Sequence, residues 1–147
     1  MATINASVTI SSDISSYPTS ISKTMTMTKS ANPSVGLDET TGLRTKKFTT
    51  TTAAVIVEHD ELTDDKAHKV YIRNSSTQRA NFFYVAYHAS AAAATTAGTI
   101  GKLYGGDWMF IPADFHDAAG DIAITANGGT NKICYALFHE GITLVTT

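Results

Sequence analysis

The stretch Gly101–Glu140, GKLYGGDWMFIPADFHDAAGDIAITANGGTNKICYALFHE, decides the fold. It contains three segments in which apolar residues alternate or run together, Asp107–Pro112, Asp121–Ala126 and Lys132–His139. Gly105-Gly106 precedes the first segment and Asn127-Gly128-Gly129 precedes the third, and such punctuation is typical of antiparallel sheet. The third segment is apolar on both faces, so we predict that it lies centrally in a covered sheet.

Further strands are predicted on both sides of this stretch, at Thr3–Ile10, Ser20–Thr28, Phe48–Val57, His68–Arg73, Asn81–His88, Ile100–Tyr104 and Ile142–Val145. We interpret His68–Arg73 and Asn81–His88 as a hairpin with a wide turn. Ala89–Thr99 is interpreted as a loop because its threonines and glycine oppose the helix that its alanines favour. The regular spacing of short strands predicts an all-β protein, an antiparallel two-sheet β-sandwich of jelly-roll or immunoglobulin-like type. The pattern leaves the strand order open.

The 147 residues fit one domain with an appendage. Residues 1–46 carry few large apolar side chains and a single aromatic one, Tyr17, so they could hardly form a core alone. We predict that they form an extended N-terminal arm, or outer strands, and that residues 47–147 form the sandwich.

Composition excludes several classes of function. The net charge is −2, and the nearest approach to a basic patch, Arg44, Lys46 and Lys47, is short, which argues against nucleic-acid binding. No apolar run approaches the roughly 20 residues that span a bilayer, and the start lacks a secretion signal, so we expect the chain to be made and assembled in a cytoplasm. Charged residues make up 16% of the chain, below the usual ~25%, which suits a protein that packs against neighbours.

No motif of an enzyme or cofactor site is found, so we expect no catalytic residue and no cofactor. Asp114, His116, Asp117 and Asp121 could hold Ca²⁺ on a loop, with a solvated loop as the alternative. The five histidines show no zinc-finger or HExxH spacing. Cys134 lies in mid-strand between apolar neighbours and is predicted to be a buried, inert thiol.

Candidate interface residues lie in the N-terminal part. Met25 and Met27 alternate with threonines, which suggests an adaptable apolar face, although packing within the sandwich is an alternative. Ile4, Val8 and Ile21 belong to the same alternating strands. Arg44, Lys46 and Lys47 could meet the acidic stretch Glu58–Asp65 on another copy of the chain.

Five segments carry a resemblance to a known family, LDETTGL (Leu37–Leu43), HKVYIRN (His68–Asn74), GKLYGGDWMFIP (Gly101–Pro112), DIAIT (Asp121–Thr125) and YALFHEG (Tyr135–Gly141). Their order resembles small virion structural proteins of tailed bacteriophages, notably those that infect marine cyanobacteria. The resemblance implies a β-sandwich component of a particle without catalysis. Ala89–Thr99 departs from the shorter turn expected there.

The resemblance and the composition together predict a homo-oligomeric virion protein that contacts its own copies and other virion proteins such as the major capsid protein. Capsid decoration is the first expected location, with the tail, neck or fibre as alternatives. A carbohydrate-binding module is a further alternative, in which aromatic side chains would form a stacking platform from Tyr71, Tyr84, Tyr87, Tyr104 and Trp108.

Overall fold

The structure is a computed structural model that describes residues 4–12, 19–28, 36–49, 51–59, 68–87, 98–113, 120–128 and 130–140. Every regular element in these ranges is a β-strand, in the order β1 (Asn5–Ser12), β2 (Thr19–Thr26), β3 (Glu39–Thr40), β4 (Arg44–Phe48), β5 (Ala54–Val57), β6 (His68–Asn74), β7 (Phe82–Tyr87), β8 (Thr99–Tyr104), β9 (Trp108–Ala113), β10 (Ile122–Ala126) and β11 (Asn131–His139). The predicted edge strand Ile142–Val145 and nearly all of the predicted loop lie outside the described residues.

Two antiparallel sheets face each other across the hydrophobic core. In the first sheet β11 lies between β6 and the pair β3 and β4, and β9 lies beyond β6. The second sheet has the order β5-β10-β7-β8. Both sheets supply fully buried side chains to one core, among them Ile72, Phe83, Ile124, Ile133 and Leu137. The predicted all-β architecture of antiparallel sheets is confirmed, as is the central position of the strand that became β11.

The chain passes repeatedly between the two sheets. β6 pairs with β11 and β9 in the first sheet, whereas β7 pairs with β10 and β8 in the second. The predicted hairpin of β6 with β7 is therefore wrong. The residues of both strands alternate as expected for strands. However, this alternation determines only which face of a strand is buried and does not determine which strand pairs with it. The expected boundary between residues 46 and 47 falls inside β4, which pairs with β11.

The buried side chain of Asn74 stabilises the connection through which the chain passes from β6 to β7. The amide nitrogen of Asn74 donates to the carbonyl oxygens of Asn81, at 3.0 Å, and Leu103, at 2.9 Å. Its amide oxygen accepts from the backbone N–H of Ser76 at 3.0 Å. Asn74 thus joins the end of β6 in the first sheet to β8 in the second.

β1 and β2 form a separate two-stranded antiparallel hairpin, paired from Asn5 with Thr26 to Ser12 with Thr19. The hairpin is attached to the sandwich where the N–H of Leu37 donates to the carbonyl oxygen of Met27 at 2.6 Å. Both of these side chains are fully buried. The described N-terminal part thus contains a hairpin whose end is joined by a backbone hydrogen bond to the buried Leu37.

Candidate functional site

The hairpin has two chemically different faces. Because directly opposite residues point to the same side, one face carries Ala6, Val8 and Ile10 on β1 and their partners Met25, Lys23 and Ile21 on β2. We call this the apolar face. The other face is a ladder of hydroxyls, in which Ser7 Oγ lies 2.8 Å from Thr24 Oγ1 and Thr9 Oγ1 lies 3.4 Å from Ser22 Oγ.

A cleft of about 340 Å³ separates β1 from the outer face of the first sheet. Its floor is formed by aromatic side chains of β6, β9 and β11. Its other wall is formed by β1 and by the residues just before β1 and just after β2. The lining residues are Ile4, Asn5, Ala6, Ser7, Val8, Met27, Tyr71, Trp108, Phe110 and Phe138. We call it the aromatic cleft. Ala6 and Val8 are half-buried there. The cleft is mostly apolar and carries no charged side chain.

The apolar face extends beyond the part that covers the cleft. Ile10 is 51% exposed, Ile21 is 45% exposed and Met25 is 52% exposed. Trp108, at the cleft itself, is 51% exposed. Folding of the described residues thus leaves an apolar surface exposed to water next to the aromatic cleft.

The predicted interface residues of the hairpin have different environments. Ile4 and Val8 line the aromatic cleft, while Ile21 and Met25 are exposed. Met27 is buried within its own chain, which is the packing alternative that the sequence had left open. Ile10 was missed as an interface candidate, although its place in the same alternation as Val8 could have identified it.

The basic candidates lie on β4. Lys46 is tied to its own chain, because its Nζ donates to the carbonyl oxygen of Val55 at 3.0 Å and lies 5.9 Å from the ring centroid of Phe48. Arg44 and Lys47 are exposed. Most of the acidic stretch 58–65 lies outside the described residues, so its contact with these cations in another copy stays a prediction.

Only one of the four candidate calcium ligands belongs to the described residues. Asp121 is buried, and its Oδ1 accepts from the backbone N–H of His59 at 2.9 Å and lies 2.9 Å from His59 Nδ1. Asp114, His116 and Asp117 lie outside the described ranges. In the part of the chain that is described, no group of three or more His, Cys, Asp or Glu side chains could hold a metal ion. The contacts of Asp121 fasten the start of β10 to the end of β5.

Cys134 is half-buried and lies on the outer face of β11, so the prediction of a buried thiol is wrong. Its sequence neighbours Ile133 and Tyr135 point into the core, whereas Cys134 points away from it. Partial burial raises the pKa of the thiol, but hydrogen bonds with the hydroxyls of Ser75 (3.1 Å) and Thr45 (3.4 Å), with the charges of Lys132 and Arg73, lower it below its ordinary value.

The aromatic residues considered for carbohydrate binding are divided among three places. Tyr71 and Trp108 lie together on the outer face of the first sheet, with ring centroids 6.4 Å apart. Tyr84 and Tyr104 lie on the outer face of the second sheet, where Lys102 Nζ is 5.1 Å from the ring centroid of Tyr84. Tyr87 packs against the core. The five rings therefore share no single platform.

Comparison with known proteins finds a weak structural likeness and identifies no family. No protein-family model and no curated protein matches the sequence. A solved structure described as "Bacillus endospore appendages form a novel family of disulfide-linked pili" aligns over 71% of this chain and 93% of that chain, with 16% identity and a TM-score of 0.39. A likeness of this strength supports no conclusion about function. Among the described residues, no helix is long and apolar enough to cross a bilayer.

Proposed function

We propose that this chain is a non-enzymatic structural subunit that assembles with copies of itself as a component of a tailed-phage virion. The observation that carries the proposal is the hairpin, whose apolar face exposes Ile10, Ile21 and Met25 outside the sandwich core. A two-stranded hairpin is marginally stable in water by itself. Burying this face against another subunit would stabilise the hairpin and remove apolar surface from water together.

The strand order supports the jelly-roll alternative for the sandwich. Without the two-residue β3, the first sheet reads β4-β11-β6-β9 and the second reads β5-β10-β7-β8. Eight strands that alternate in this way between two four-stranded sheets fit a jelly roll, an architecture that viral capsid domains use. That use is an analogy at the level of the fold and supports the virion assignment only to that extent.

The expected place in the particle rests on sequence alone. The segments that resemble phage virion proteins and the low charge of the chain support a particle component, and capsid decoration in contact with the major capsid protein is the first location we propose. A tail, neck or fibre position is the alternative. In each of these places the subunit would act through surface contacts and would need no cofactor.

Light scattering coupled to size-exclusion chromatography, followed by negative-stain electron microscopy, tests the assembly of the purified chain. We expect a defined symmetric multimer. Replacing Ile10, Ile21 and Met25 together by serine should shift the population to monomer without changing the far-ultraviolet circular dichroism. A monodisperse monomer that binds sugars on a glycan array would instead support the carbohydrate-binding alternative. Antibody labelling of particles then distinguishes capsid from tail, neck and fibre.

A further inference from the structure

We propose that β1 pairs with β1 of a second copy, antiparallel about a two-fold axis, and that Ile10 of each copy enters the aromatic cleft of the other. This inference rests on the proposed function and identifies the partner and the mode of contact. A two-fold pairing is self-complementary, since the same strand and the same cleft serve on both sides.

The first support is the character of the β1 edge. Within the described residues, β1 pairs with β2 on one side and with no strand on the other. Its sequence, NASVTISS, contains no charged residue and no proline. Soluble proteins usually guard such an edge with charges, proline or a bulge, because its unpaired backbone groups can pair with another chain. Among the described residues, a strand of this length and composition is suited to the addition of another strand.

The second support is the contrast with β2. Lys23 is the sole charged residue of that strand and lies near its middle. In a two-fold pairing of β2 with β2 centred on the strand, the two lysines would approach each other, and like charges that face each other across a sheet are destabilising. Of the two edges of the hairpin, charge therefore disfavours self-pairing of β2 and favours self-pairing of β1.

The third support is the position of the aromatic cleft. Consecutive residues of the β1 side, from Ile4 to Val8, line it, so the cleft runs along the strand. If the two-fold axis passes beside Val8, antiparallel pairing places Ile10 of the second copy opposite Ala6, the smallest side chain of the apolar face. Ile10 would then lie over Ala6 and point into the cleft toward Trp108. Each copy thus covers one exposed isoleucine and one exposed tryptophan of the other.

Two isoleucines that face each other across the hairpin provide a matched test. Ile10 on β1 and Ile21 on β2 are directly opposite and are exposed to a similar extent, 51% and 45%. In sedimentation velocity over a concentration series, Ile10→Asp should raise the dimer dissociation constant at least about 100-fold, since two buried isoleucines are lost. Ile21→Asp lies on the strand that this pairing leaves at the outside, so it should raise the constant at least about tenfold less than Ile10→Asp does. Equal effects, or a larger effect of Ile21→Asp, would overturn the proposal.

A second pair tests the edge itself. Thr9 and Ser22 are also opposite, and their hydroxyls lie within 3.4 Å of each other, so replacing either one by lysine removes the same contact. Thr9→Lys places charge on the β1 edge and should weaken the dimer by about tenfold or more, because charged side chains discourage strand addition. Ser22→Lys should leave the dimer intact. Circular dichroism checks that both variants keep the fold.

Oxidative cross-linking tests the register. Residues that face each other across antiparallel strands have Cα atoms about 4.5–5.5 Å apart, within the span of a disulfide. In a Cys134→Ser background, Val8→Cys should form a disulfide between copies, and Lys23→Cys, directly opposite Val8 on the hairpin, should not. A multimer that neither Ile10→Asp nor Thr9→Lys weakens would refute β1 pairing and leave the proposed function standing. A wild-type monomer at every concentration would remove both.

Discussion

Replacing Asn74 by alanine should destabilise the protein far more than a surface asparagine would. The side chain of Asn74 is fully buried and makes three hydrogen bonds, donating to Asn81 and Leu103 and accepting from Ser76. The bond to the carbonyl oxygen of Leu103 is itself buried. Alanine would leave two carbonyl oxygens and one N–H without these partners.

The magnitude follows from the burial of the groups that lose their partners. A buried polar group left unsatisfied costs about 1–3 kcal/mol, whereas one that water can reach costs less. One of the three bonds is buried and two are partly buried, so we expect a loss of about 2–5 kcal/mol. Domains of this kind are stable by about 5–15 kcal/mol in total, so the loss is a large fraction of the whole. The melting temperature should fall by roughly 6–15 °C.

Asn127 is the matched control. Its side chain also accepts from a backbone N–H, that of Phe82, and donates to a backbone carbonyl, that of Ala80, each at 3.0 Å. Both bonds are exposed, so water can replace them, and Asn127→Ala should cost less than about 1 kcal/mol. Urea denaturation of both variants and the wild type is measured at one protein concentration, because assembly shifts apparent stability. Equal losses in the two variants would refute the claim that burial of the bridge between sheets sets the cost.

Three further outcomes follow from single contacts. Gly105→Ala should cost about 1–3 kcal/mol because the new Cβ would collide with the carbonyl oxygen of Gln78, whereas Gly101→Ala, with no heavy atom within 4 Å of its Cβ, should cost less than about 0.5 kcal/mol in the same urea titrations. Asp121→Ala should lower the free energy of unfolding, read from thermal melts, by about 1–3 kcal/mol, and an unchanged melt would show that its contacts are dispensable. The rate of alkylation of Cys134 by iodoacetamide should rise over a lower pH range in the native protein than in urea, because the native pKa of the thiol is lowered. The stability that this pKa shift contributes is present above the unfolded pKa and is lost as the pH falls through the native pKa. Identical pH profiles of alkylation in the two states would contradict the lowered pKa.

The positions of most strands, and the faces they bury, could be predicted from the sequence. Ile122, Ile124 and Ala126 alternate along the predicted strand, and all three point into the core. The strand that became β11 has apolar side chains on both of its faces. Its central place in a covered sheet could be inferred for that reason. These features depend only on the period of a strand, and that period is a local property of the chain.

The strand partners and the bridging side chain could not be predicted, because they depend on residues distant in the sequence. Asn74 ends β6 and is followed by Ser75, Ser76 and Thr77, a composition that is typical of a turn. The side chain of Asn74 donates to the carbonyl oxygen of Leu103, which is 29 residues away in the sequence, and no local sequence pattern indicates this contact. Cys134 was misjudged for a related reason, since neighbouring residues of a strand point to opposite faces and say little about each other's burial.

Folding of one chain buries the core of the sandwich but leaves part of the hairpin's apolar face exposed. The sandwich encloses one core of large apolar side chains between its two sheets, among them Phe83, Ile124 and Leu137. The hairpin is held at one end, by the buried Met27 and Leu37, while Ile10 and Ile21 remain exposed farther along it. Ordering each of its residues costs about 1–2 kcal/mol of backbone entropy, and a two-stranded sheet returns little of that by burial. A strand from a second copy would supply backbone hydrogen bonds on the open edge and apolar contacts in the cleft, so the order of the hairpin and the assembly of subunits are expected to be thermodynamically coupled.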